Sequence, residues 1–106
     1  MGIDETLVQD IVRRILSVAR PDRIILFGSA VTGPMTRDSD IDLLLVMKSP
    51  EHSGEEYSRL RRSLSGIPYP FDIIVVSTER FEEMKDIIGG IEYPANKYGR
   101  VIYDAA

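Results

Sequence analysis

Hydrophobic positions along this chain recur with two periods, and the switches between them mark out the elements. Ile3, Leu7, Ile11, Ile15 and Val18 form one stripe over residues 3 to 19, with Val8, Val12, Leu16 and Ala19 beside it. That spacing predicts an amphipathic helix. Arg20-Pro21 closes it, because a residue preceding proline disfavours helical geometry. Apolar runs at 23–28 and 40–47 predict strands, joined by a short helix or turn from Ser29 toward Gly33-Pro34. Ser53-Gly54-Glu55-Glu56 has the capping-box pattern, with Ser53 as N-cap and Glu56 at N3. It opens a helix in which Tyr57, Leu60 and Leu64 share a face, ending near Ser65-Gly66. A third strand is expected at 71–76, bounded by Pro68 and Pro70. Thr78 then caps a helix with Phe81, Met84, Ile87 and Ile88 turned inward, stopped by Gly89-Gly90. A further helical turn over Pro94 to Tyr98 leads through Gly99 into a last strand at 100–103. Helices alternating with strands predict the α/β (α+β) class, and no linker or repeat divides residues 1–106, which are expected to form one domain.

A core accounts for every apolar stripe above, but not for Gly28, Ser29, Asp40, Asp42 and Asp72. Residues i and i+2 of a strand project from one face, so Asp40 and Asp42 stand side by side at the mouth of an apolar run. Two anions that close raise each other's pKa unless a positive charge sits between them, and hard divalent cations prefer carboxylate oxygens. Asp72 opens the next strand and shares a face with Ile74 and Val76, as Asp42 does with Leu44 and Val46. If those strands pair, three carboxylates meet at one end of the sheet. Gly28-Ser29 has the makings of a phosphate seat: glycine permits close approach to the backbone, and a serine capping a helix start leaves amides that attract anions. Each piece alone has a structural explanation, as a strand–helix junction or a solvated strand end. Their combination, in this order and spacing, points to a site for a metal-chelated nucleoside triphosphate. Asp38 and Ser39 read as turn residues that place Asp40.

The segment LFGSAVTGPMTRDSDIDLLL, followed by FDIIVV, resembles the nucleotidyltransferase superfamily typified by DNA polymerase beta, and within it the minimal nucleotidyltransferases. The ending Lys97-Tyr98-Gly99-Arg100-Val101-Ile102-Tyr103 is similar to the end of that family. The resemblance implies a mixed, twisted sheet of about four strands with helices against one face. It implies two Mg²⁺ ions, or Mn²⁺, on Asp40, Asp42 and Asp72, with Asp72 also accepting the acceptor's proton. It assigns the triphosphate, ATP or another NTP, to Gly28 and Ser29, with Arg37 close by. Members of the family often carry arginines between the two glycines of the loop, whereas this chain has Gly28-Ser29-Ala30-Val31-Thr32-Gly33. Arg37 is the guanidinium expected to substitute.

Composition narrows the partners. Net charge is −4, which argues against broad electrostatic binding to nucleic acid. Arg59, Arg61 and Arg62 are the one basic cluster, on a helix that also carries Glu55 and Glu56. A solvated face is the default reading there, with an acidic partner as the alternative. No apolar run reaches the ~20 residues of a membrane span. With no cysteine, disulfides are excluded and a reducing, cytoplasmic setting fits. His52 reads as a loop residue without a role. The resemblance further implies an antitoxin that adenylylates a hydroxyl, a tyrosine, on a helical HEPN-type toxin. A binding module that neutralises the same partner by occlusion is the competing expectation, and a homo-oligomer stays open.

Overall fold

The computed structural model describes residues 3–33, 36, 38–48 and 54–106. Asp4 caps the first helix, its side chain accepting the Thr6 amide at 2.7 Å, and α1 runs Glu5–Leu16. It ends before the expected boundary: Ser17 caps the helix C-terminus, and Val18 turns outward instead of completing the stripe. Val8, Ile11 and Ile15 carry the inward face. β1 (Arg23–Phe27), α2 (Ser29–Thr32) and β2 (Ile41–Met47) follow as the apolar runs suggested. α3 is Gly54–Ser63, with Leu60 and Leu64 buried but Tyr57 exposed, against the expected inward face. Ser53 and His52, and with them the capping box, lie outside the described residues. β3 (Phe71–Ser77) leads into α4 (Thr78–Met84), then α5 (Glu92–Tyr98) and β4 (Arg100–Asp104).

The four strands form one mixed sheet in the order β3-β2-β1-β4. β1 pairs antiparallel with β2 and β4, while β2 and β3 are parallel, joined by the α3 crossover. A strand buried on both faces reads as a continuous apolar run. β2 is that strand: every residue from Ile41 to Met47 is buried except Asp42, which is half-buried.

The class and the sheet are as the sequence suggested, but the helices do not all lie on one face. α1 and α3 cover Ile24, Leu26, Leu43 and Leu45, while Phe81 of α4 and Ala95 of α5 pack on Ile25, Leu44 and Val46. Alternation forces this, because the inner strands β1 and β2 are apolar on both sides and each side needs a cover. Arg14 ties the first layer together, donating to the carbonyls of Ser63 and Ser65 at 3.1 and 2.9 Å.

Two local expectations at α4 also change. Ser77, not Thr78, is its N-cap, accepting the Arg80 amide at 3.0 Å. Thr78 Oγ1 instead donates to Asp22 at 2.6 Å. The helix stops at Met84, so Ile87 and Ile88 leave the helical stripe and are 53% and 80% exposed rather than inward. Glu92, at the start of α5, is only 2% exposed and accepts from Arg80 Nε at 3.0 Å.

Candidate functional site

β1 ends at Phe27, which pairs with Asp42, and the chain then turns at Gly28. Gly28 has φ 78 and ψ −155, a conformation essentially closed to side-chain-bearing residues. A Cβ at this position would lie 2.3 Å from Asp42 Oδ2. The loop backbone and the Asp42 carboxylate are therefore neighbours, and only glycine fits between them. Gly28 also takes the N-cap position of α2, so Ser29 is the first helical residue rather than the cap expected from sequence. Ser29 is exposed, and its hydroxyl engages no other described residue. The Val31 amide returns to Gly28 O at 3.1 Å and the Gly33 amide to Ser29 O at 2.8 Å. The amides of Ser29 and Ala30 open the turn and have no partner inside it.

The approach to β2 is held by a turn. The Ser39 amide donates to Thr36 O at 3.1 Å, and the Thr36 amide donates to Ser39 Oγ at 2.8 Å. This is the placing role expected of Ser39. Asp40 emerges exposed from that turn. The Ile41 amide then donates to Pro70 O at 2.9 Å, which sets the parallel register of β2 on β3. In that register Asp42 stands directly beside Asp72. The pairing, open in the sequence, brings the two aspartates together on neighbouring strands above a half-buried apolar floor of Phe27 and Ile74.

Electrostatics reflect the crowding. Asp42 has its pKa raised, first by partial burial, then by the charges of Asp72 and Asp40. Among the described residues no ion pair or hydrogen bond reaches the carboxylates of Asp40, Asp42 or Asp72. Also among the described residues, no three acidic side chains converge into a finished metal cage. The strands supply instead a set of hard oxygen donors without counter-charge, a donor chemistry that suits Mg²⁺ or Mn²⁺. Arg37 lies outside the described residues.

The nucleotidyltransferase domain family model matches residues 7–97, a span containing the Gly28-Ser29 loop and all three aspartates. The chain belongs to the nucleotidyltransferase domain family. No curated protein matches it. Nucleotidyltransferase domains transfer nucleoside monophosphates from nucleoside triphosphates and generally use divalent metals, chemistry that the uncompensated carboxylates accommodate. No helix among the described residues of this nucleotidyltransferase is long and apolar enough to cross a membrane. The contact between Gly28 and Asp42 was invisible in the sequence, since it depends on the β1–β2 register and on a backbone angle. A glycine immediately after an apolar run was its only signal.

Proposed function

We propose that this nucleotidyltransferase is of the minimal type, moving adenylate from ATP to a tyrosine hydroxyl of a helical HEPN-type partner and so acting as its antitoxin. The observation that supports this most is the placement of Asp42 beside Asp72 on parallel strands, with Gly28 against the Asp42 carboxylate. In this reading Asp40, Asp42 and Asp72 hold the Mg²⁺ ions, with Mn²⁺ as substitute. The free amides of the Gly28-Ser29 turn and the Ser29 hydroxyl receive phosphate oxygens, and Arg37 adds a charge from the following loop. Bound divalent ions would neutralise the triphosphate and acidify the attacking hydroxyl. Asp72, exposed at the start of β3, accepts the hydroxyl proton as the oxygen bonds the α-phosphorus and pyrophosphate leaves.

Calorimetry with ATP tests the reading. Affinity should fall sharply when EDTA removes divalent ions, because the carboxylates repel a bare triphosphate. Equal affinity with and without metal contradicts it. One feature favours a second reading, occlusion without catalysis: Gly28 to Gly33 contains no arginine to grip phosphates. A partner that is inhibited yet never modified would select that reading.

A further inference from the structure

The sheet has two edges, β3 and β4, and they are defended differently. β4 is five residues long, is irregular opposite Ile24/Ile25, and has Arg100 and Asp104 at its ends. Shortness, bulges and charges are devices that block strand addition. β3 is seven residues, FDIIVVS, with Asp72 as its only charge and an unbroken register against β2. Since the Ile41 amide bonds Pro70 O, residues of that parity face β2 along the ladder. Phe71, Ile73 and Val75 therefore direct amide and carbonyl outward. Arg61 Nη1 agrees with this, donating to Phe71 O at 3.0 Å. Among the described residues no hydrogen bond reaches the outward groups of Ile73 and Val75.

A cavity of about 220 Å³ lies beside this edge, lined by Leu64, Ile67, Tyr69, Phe71 and Ile73 with Arg61 at its rim. Small-molecule sites begin at roughly 300 Å³, so this one suits a single bulky side chain. Arg61 is exposed and has no ion-pair partner among the described residues, whereas Arg59 is already paired with Glu55. Arg61 is therefore the cation that an added strand meets at this margin.

We propose that the free edge of β3 receives an extended, acidic segment of the acceptor protein as an added strand. An apolar side chain of that segment fills the cavity, and an acidic one meets Arg61. The proposal rests on the transfer reading above and specifies how the acceptor is held. An added strand lies about 4.8 Å from β3, and its residue opposite Asp72 projects from the same face as Asp72. A hydroxyl on that residue arrives beside the carboxylate assigned to take its proton. The residues flanking it point to the opposite face, where the cavity is.

The probes are a short peptide with valine and glutamate two positions apart, so that both share one strand face and tyrosine lies between them on the other, and its counterpart with lysine for glutamate. Amide hydrogen exchange is followed without nucleotide. The glutamate peptide should slow exchange at Ile73 and Val75 by at least about tenfold, the lysine peptide should not, and Val75→Pro or Arg61→Glu should remove the effect. Val75→Pro deletes an outward amide while sparing the β2 ladder. Arg61→Glu changes only an exposed side chain and decides the matter if the proline variant does not fold. No protection at Ile73 and Val75, equal protection by both peptides, or protection unchanged in Arg61→Glu overturns the proposal. Adding ATP and Mg²⁺ then separates the two claims. A peptide held on the edge but never adenylylated keeps the docking edge and overturns the transfer reading.

Discussion

Gly28→Ala is the substitution for which the structure gives the clearest magnitude. Two costs arise together. A φ of 78 with ψ −155 is glycine territory, and holding another residue there costs about 1–3 kcal/mol. The new Cβ would also sit 2.3 Å from Asp42 Oδ2, so the carboxylate must leave its rotamer, at about 0.5–1.5 kcal/mol. The expected destabilisation is therefore about 2–4 kcal/mol, a fall in Tm of roughly 10–20 °C for a domain of this size. Gly33→Ala is the control: its Cβ would come only within 3.2 Å of Ser29 O, with φ −105, so the loss should be well under half as large. A double-mutant cycle separates the costs. In an Asp42→Ala background the nearest Asp42 atom left is Cβ, 3.7 Å away, an ordinary contact. Gly28→Ala should then cost only the backbone strain. Urea unfolding of the four proteins measures this. A loss below about 1 kcal/mol, or the same loss in both backgrounds, would refute the proposed wedge between loop and carboxylate.

Asp42→Asn should leave the fold without metal as stable as wild type or more so. The raised pKa means that the folded state holds the Asp42 proton more tightly than the unfolded chain, so this group's contribution falls as pH rises from the ordinary aspartate range through the raised value. The variant should lose that part of the decline and all stabilisation by Mg²⁺ with ATP; a Tm several degrees lower at neutral pH would instead make Asp42 a structural hub. Among the described residues one carboxylate oxygen of Glu92 has no partner, and the other depends on Arg80. Arg80→Ala should accordingly cost about 1–3 kcal/mol in urea unfolding. Glu92→Met, of similar length without the charge, should be near neutral or stabilising, and the reverse ranking would contradict this account.

The pattern that a chain must hide was legible in its residues; what depends on register was not. Alternation put Asp40, Asp42 and Asp72 on strand faces, because period two leaves no choice once a strand is assigned. The meeting of Asp42 with Asp72 needed the parallel pairing of β2 with β3, a register that starts with the bond from the Ile41 amide to Pro70 O. The end of α4 at Met84 does not show in the residue pattern, because Ile87 and Ile88 keep helical spacing after the backbone has left the helix. Ser77 and Thr78 are both competent caps, and Thr78 is drawn off by Asp22. The second covered face could be inferred from the continuous run of β2, although the family resemblance suggested one.

Mass spectrometry of the proposed HEPN-type partner, after incubation with this protein, ATP and Mg²⁺, reads the proposed transfer itself. Wild type should add one adenylate to a partner tyrosine. Asp72→Asn should add none, although that variant should still bind the partner, since transfer depends on one carboxylate and association on a surface. A partner left unmodified by both proteins, yet inhibited by both, would contradict it.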